Sequence, residues 1–211
     1  MRRPPALALV VVLALFAAGV GWYLTHRVDS RPVALEPQQL ARWTLVTSDG
    51  TDPWVVALQP PDRLVALLLA TARARAGVTL VAPAHAALPL VLRTEFEESL
   101  QGVYGVDSVQ RIARDAGLDT AAFTPVCLAH RTASGPSGRA ELYFVPFESA
   151  AFVQMRVDLT PTEPEHAGIG VYDPGTVTPI LVVGATDAAF DRWWPLAFDP
   201  TKDCEAPIAG S

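Results

Sequence analysis

The pattern of apolar and polar positions begins with an unbroken apolar run at residues 6–24. The run contains no charged residue, and Arg2 and Arg3 precede it. A helix of this length rises about 28 Å, which is close to the thickness of a bilayer hydrocarbon core. The pattern therefore predicts a transmembrane signal-anchor helix at 6–24, with residues 1–5 as a cytoplasmic tip.

A cleaved signal peptide is the alternative interpretation of the same segment. Its small residues Ala17-Ala18-Gly19 resemble a cleavage site, and the chain would then be secreted. The apolar run continues past them to Leu24, and Trp22 and Tyr23 lie where interfacial aromatic residues are expected. These features favour an uncleaved anchor. The basic N-terminal flank then predicts a cytoplasmic N-terminus and an extracytoplasmic body.

Residues 25–40 are predicted to be a linker, because two prolines in this range oppose a helix. The body follows at 41–211, and its clearest element is a helix at 62–76. Two prolines precede that helix and Gly77 ends it. A strand predicted at 78–82 follows the helix at once. This strand–helix–strand order predicts a parallel pair of strands with a right-handed crossover.

The remaining pattern places helices early in the body and strands late. Thr94 and Glu97 form a predicted capping box for a helix at 95–101, and Asp107 is predicted to cap a helix at 108–116. Further strands are predicted at 42–47, 54–58, 88–92, 126–132, 139–146, 152–159 and 177–185. Together these elements predict one α+β domain with a mixed β-sheet and a few short helices.

The chain has two cysteines, Cys127 and Cys204. In an exported domain such a pair predicts a disulfide bond. The bond would be worth roughly 4.5 kcal/mol in the chain-entropy model and would tie the C-terminal segment to a central strand.

Cys127 and His130 are three residues apart on a predicted strand, so their side chains are expected on opposite faces. That spacing opposes a joint metal or thiol site.

Charge and composition exclude several classes of function. Half of the residues are hydrophobic and the formal net charge is −6, although three of the arginines belong to the N-terminal segment. An acidic body without a basic cluster argues against nucleic-acid binding.

Glu163, Glu165 and His166 have side chains that can bind metals, but their spacing matches no known ligand motif. They are predicted to lie in a loop. The sequence therefore predicts no metal site and no cofactor.

In the absence of a catalytic motif, the sequence favours an accessory or interaction module of an envelope complex. The N-terminal helix would lie in the lipid bilayer, and the partner would be a membrane protein. Trp193 and Trp194 are adjacent on a short predicted helix, so their side chains diverge by about 100°. One of them can then be partly exposed, which makes this pair the candidate contact surface.

Two alternatives belong to other classes. A membrane-tethered hydrolase could assemble scattered residues such as His85, His130, Asp107 and Glu141. It requires one of the histidines to share a cleft with a carboxylate or hydroxyl. A small-ligand-binding module requires an enclosed apolar pocket between sheet and helices. The interaction hypothesis requires instead a contiguous apolar patch at the surface, for example around Trp193 or Trp194, and no organised polar cleft.

Overall fold

The fold combines two β-sheets with a few helices, as the α+β prediction expects. A computed structural model describes residues 32–36, 40, 43–48, 50, 52–135, 138–160, 178–187 and 198–209. The strands are β1 (Val33–Ala34), β2 (Thr44–Thr47), β3 (Trp54–Gln59), β4 (Leu88–Leu92), β5 (Thr124–Pro125), β6 (Cys127–Gly135), β7 (Gly138–Glu148), β8 (Ile180–Ala185) and β9 (Cys204–Ala209). The helices are α1 (Asp62–Ala76), α2 (Arg93–Glu95) with a π-helical turn (Phe96–Leu100), α3 (Val106–Asp115), α4 (Ala150–Asp158) and α5 (Pro200–Asp203).

The larger sheet is built around the β6–β7 hairpin. The strands predicted at 126–132 and 139–146 are confirmed and form this hairpin, and Gly138 beside the turn has a φ of 113°. β9 pairs with β6, while β8 and β5 pair with β7, all in antiparallel orientation. β1 is parallel to β9, with Val33 opposite Ile208. Val33 and Leu35 are buried, so part of the segment predicted as a linker is built into this sheet.

The smaller sheet has the order β2-β3-β4 and is antiparallel throughout. The prediction of a parallel strand pair around the long helix is therefore wrong. The predicted strand at 78–82 contributes one antiparallel bridge, from Val81 to Ala185. The segment from Gly77 to Ala87 is long enough to reverse the chain, and β4 returns antiparallel to β3.

Helix α1 is confirmed at the predicted bounds. Gly77 takes the left-handed conformation with a φ of 62°, and its backbone N–H donates to the Arg73 carbonyl, which ends the helix. The buried side of α1 packs against β8. A Cβ at Gly184 would come within 2.8 Å of Leu69 Cδ1, so glycine permits this close approach. The buried residues of α1 are Leu64, Leu68, Leu69 and Ala72.

Helix α4 (Ala150–Asp158) occupies the position of the strand predicted at 152–159, so that prediction is wrong. Phe152, Met155, Arg156 and Leu159 are buried, at the spacing i, i+3, i+4, i+7 of one helical face. Val153 and Val157 are about half exposed, at 50% and 49%. The alternation of apolar residues is therefore coincidental. The Ser149 hydroxyl accepts a hydrogen bond from the Phe152 N–H and starts the helix.

Two predicted helix caps are also wrong. Leu92 stands at the N-cap in place of Thr94, and its N–H donates to Glu95 Oε2 at 3.3 Å, so Glu95 takes the role predicted for Glu97. Helix α3 begins at Val106, which places Asp107 in its exposed first turn. In both cases the helix starts earlier in the chain than the polar residue pattern indicates.

One main hydrophobic core lies between the two sheets and their helices, and it contains a buried ion pair. Arg156 is 1% exposed and contacts both carboxylate oxygens of Glu95, at 2.5 and 3.0 Å. Its guanidinium also donates to the Leu90 carbonyl and lies 5.7 Å from the centre of the Phe152 ring. These contacts join α4 to β4 and α2.

Candidate functional sites

The predicted disulfide is confirmed and fastens the C-terminal strand to the middle of the larger sheet. Cys127 begins β6 and Cys204 begins β9, with their Cα atoms 5.7 Å apart, a separation within the normal range. Cys127 is buried. Next to the bond, Arg131 pairs with the buried carboxylate of Asp203, and Arg131 Nε lies 3.0 Å from Asp203 Oδ1. The end of the chain is thus held by a covalent bond and an ion pair.

A histidine lies between two carboxylates on the opposite face of the same strands. His130 Nε2 lies 2.6 Å from Glu141 Oε2, and His130 Nδ1 lies 3.0 Å from Glu205 Oε1. The imidazole ring stacks on Tyr143 at a centroid distance of 4.6 Å. We call these four residues the His130 cluster. It spans β7, β6 and β9, because the three strands are adjacent in the sheet.

The electrostatics of the His130 cluster favour an imidazolium. The hydrogen bond with Glu205 raises the pKa of His130, burial lowers it, and the contact with Glu141 raises it further, for a net increase. Burial raises the pKa of Glu141, but the hydrogen bonds from Thr132 and His130 outweigh burial and leave it lowered. Burial, followed by the charges of Glu205 and Glu141, raises the pKa of Tyr143 to about 12.

This geometry is that of an ion pair and not of a catalytic base. Both ring nitrogens of His130 face carboxylate oxygens, so both donate and neither offers a lone pair to a substrate. The carboxylates of Glu141 and Glu205 lie at opposite ends of the ring and do not converge on one point. Across the described part of the chain, no group of three or more His, Cys, Asp or Glu side chains is arranged to hold a metal ion.

Glu205 is a member of the His130 cluster that the sequence does not predict. Its position next to Cys204 is the signal for it, because the predicted disulfide requires that segment to lie beside β6. His130 and Glu141 were both selected, and the structure brings them together. Asp107 lies apart from them, on α3.

A second candidate site lies on the other face of the smaller sheet. Trp54, Ala57 and Ala87 form an apolar cluster with Val46, separate from the main core. Above this cluster is an open groove of about 460 Å³. We call it the outer groove. It is lined by Val46, Asp52 and Trp54 of the β2–β3 region, by Asp62 and Ala66 of α1, and by the loop 83–87.

The rim of the outer groove carries polar groups that have no partner among the described residues. No side-chain hydrogen bond or ion pair joins Asp52, Asp62 or His85 to another described residue. Arg93 is close, but its guanidinium donates to the carbonyls of Asp52 and Trp54 and to the hydroxyl of Ser48. The two carboxylates are therefore available to a ligand.

Several predicted residues fall outside the described ranges. They include Trp193 and Trp194, the loop residues Glu163, Glu165 and His166, and the predicted anchor at 6–24. Within the ranges that the structure describes, no helix is long and apolar enough to cross a bilayer.

Comparison of the chain with protein-family models, with curated proteins and with solved structures finds no match. The function must therefore be inferred from the chemistry of the two candidate sites.

Proposed function

We propose that the chain is a single-pass membrane protein whose extracytoplasmic domain is an accessory or interaction module of an envelope complex. Residues 6–24 form the anchor in this proposal, with the N-terminus in the cytoplasm. The partner, a membrane protein, contacts the domain at the outer groove. The observation that carries the proposal is the composition of this groove, which combines an apolar floor with a polar rim whose side chains have no partner among the described residues.

The disulfide supports the extracytoplasmic location. Disulfides persist in oxidising compartments and are rare in the reducing cytosol. The bond between Cys127 and Cys204 joins two strands that are neighbours in the larger sheet. The apolar segment at 6–24 provides the means of export and, if it is not cleaved, the anchor.

The position of β1 in the chain limits the distance between the predicted anchor and the domain. Val33 is already paired in the larger sheet, and the chain from Leu24 to Val33 can span at most about 30 Å. An uncleaved anchor would therefore hold the domain close to the bilayer. A partner in the same membrane is within reach of such a domain.

The geometry supports an interaction role more than the hydrolase alternative. His130 has both nitrogens engaged. His85 shares the outer groove with Asp52 and Asp62, as a catalytic role requires, but no hydrogen bond joins it to either carboxylate. The described residues that line the groove include no serine, threonine, cysteine, lysine or tyrosine, so only carboxylates and an imidazole could act as nucleophiles among them.

The open shape also disfavours the small-ligand alternative. Small-molecule sites usually enclose most of the ligand surface, whereas this groove is open to solvent. An apolar centre with a polar rim is the usual anatomy of a protein–protein interface.

Site-specific photo-crosslinking in native cells tests the proposal. A photoreactive amino acid replaces Ala66, an exposed residue of α1 that lines the groove. The matched control is Ala74, which is exposed on the same helix but does not line the groove. We expect one defined adduct from the full-length chain with the probe at Ala66, and none with the probe at Ala74.

Absence of an adduct at position 66, or equal adducts at both positions, would contradict the interaction role. A separate measurement tests the proposal that residues 6–24 are an uncleaved membrane anchor. The chain should stay in the membrane fraction during alkaline carbonate extraction, and release into the supernatant would contradict an uncleaved anchor.

A further inference from the structure

We infer that the outer groove binds an extended polypeptide segment of the partner, in which a lysine or arginine lies next to an apolar side chain. This inference rests on the proposed function and adds the chemistry of the partner. It combines the apolar floor of the groove with its two unpaired carboxylates.

The floor selects for an apolar side chain. Trp54 is 7% exposed and packs with Ala57 and Ala87, and Val46 is partly buried against them. The loop 83–87, which borders this cluster, consists of proline, alanine and a single histidine. An apolar side chain such as leucine or valine would lose its contact with water when it packs on this surface.

The rim selects for a cation. Asp52 lies in the turn just before β3 and Asp62 begins α1, so the two carboxylates border the groove from different parts of the fold. The guanidinium of Arg93 faces backbone carbonyls and does not neutralise either carboxylate by direct contact. A lysine or arginine of the partner would supply the missing charge, and a guanidinium can contact a carboxylate through two parallel hydrogen bonds.

An extended segment matches the openness of the groove better than a folded surface does. A floor bordered by α1 and by the loop 83–87 admits a narrow chain lying across the sheet. Alternate side chains of an extended peptide point in opposite directions. Neighbouring positions can therefore reach the floor and the rim, while the rest of the segment stays in solvent.

Fluorescence anisotropy with defined peptides tests the chemistry directly. The probe is a labelled hexapeptide of alternating lysine and leucine, titrated against the full-length chain in detergent micelles. Its comparison peptide replaces each lysine with glutamate. The test variant is Asp52→Asn/Asp62→Asn. The matched control is Asp115→Asn/Asp119→Asn, which removes two exposed charges outside the groove.

We expect the lysine peptide to bind and the glutamate peptide not to bind. Two partly exposed ion pairs are typically worth about fivefold in affinity, so the groove variant should bind about fivefold more weakly than the control variant. Equal weakening in both variants would show attraction to the net charge only, and would overturn the inference.

The crosslinking experiment separates this inference from the proposed function. If the probe at Ala66 captures a partner, and the adduct is lost in Asp52→Asn/Asp62→Asn but kept in the control variant, both are supported. If the adduct persists unchanged in the groove variant, the interaction role stands and the cationic segment is overturned. If position 66 gives no adduct at all, the proposed function fails with it.

Discussion

In the larger sheet, charged side chains are paired across strands, whereas around the outer groove of the smaller sheet two carboxylates face solvent without a partner. Glu141, His130 and Glu205 join three adjacent strands, and Arg131 holds Asp203 beside the disulfide. Asp52 and Asp62 make no comparable contact with the described residues. The same residue types therefore stabilise structure in one region and are available for binding in the other.

The disulfide should give the largest effect on the larger sheet. Replacing both cysteines, as Cys127→Ala/Cys204→Ala, removes the constraint on the unfolded chain and should lower the free energy of unfolding by about 4 kcal/mol. Urea denaturation of the chain in non-ionic micelles, followed by tryptophan fluorescence, measures this loss. The groove variant Asp52→Asn/Asp62→Asn serves as the comparison, since exposed substitutions change stability by less than about 0.5 kcal/mol. If the cysteine variant loses less than 1 kcal/mol of unfolding free energy, the disulfide is not a main source of stability.

The buried ion pair that joins α4 to α2 should give the next largest effect. Glu95→Gln leaves the Arg156 charge buried without its carboxylate, which should cost about 3 kcal/mol. The double variant Glu95→Gln/Arg156→Met removes both charges and should recover most of that loss. The same denaturation measurement applies. If the double variant is less stable than Glu95→Gln alone, the pair contributes through packing and not through its buried charge.

The close approach of α1 to β8 should give a smaller effect, at the junction of the two regions. A Cβ at Gly184 would lie 2.8 Å from Leu69 Cδ1 and 3.2 Å from the Val81 carbonyl oxygen. Gly184→Ala should therefore destabilise the domain by about 2 kcal/mol through overpacking. The control is Gly102→Ala, where a Cβ would have no atom within 4 Å. Equal melting temperatures for the two variants would show that α1 moves freely away from the sheet.

The His130 cluster should give the smallest effect, and one that depends on pH. The pKa of His130 is raised above its ordinary value of 6.5, so the stabilisation is complete below pH 6.5 and is lost as the pH rises through the raised value. The pKa of Glu141 is lowered from 4.5, so its contribution is present above pH 4.5 and is lost in stronger acid.

Stability should thus be highest between pH 4.5 and 6.5 and fall above that range. His130→Gln should abolish the fall, with a loss of about 1 kcal/mol or less at pH 5.5 because the group is partly exposed. Urea denaturation at pH 5.5 and 8.5 gives both values. If the unfolding free energy of the variant depends on pH in the same way as that of the parent, His130 is not the cause of the fall in stability above pH 6.5.

Local signals account for the elements that the sequence predicted well. Helix α1 has prolines before it, an acidic first residue and a glycine after it, and these signals lie within the element itself. The disulfide followed from the number of cysteines. In each case, no information about distant parts of the chain was needed.

The wrong strand at 152–159 and the site residues that the sequence does not reveal depend on contacts between distant residues. Arg156 of helix α4 is buried because it forms an ion pair with Glu95, which is distant in the sequence. A sequence pattern that treats arginine as exposed therefore indicates the two-residue period of a strand and not the period of a helix. Glu205 reaches His130 only through the register of β9 against β6. The outer groove combines β2, β3, α1 and the loop 83–87, so its carboxylates could not be distinguished from ordinary surface acids in the sequence.

The parallel pairing of β1 with β9 has a mechanical consequence. If residues 6–24 hold the chain in a membrane, a force along the tether reaches the domain first at Val33 and passes through the β1–β9 hydrogen bonds. From β9 the load continues into β6 through the bond between Cys204 and Cys127. The smaller sheet is relieved of this load only while the β1–β9 bonds hold, because the backbone continues from β1 into β2. Tension from the membrane would therefore be carried first by a strand pair whose inner member is fastened covalently to the middle of the larger sheet.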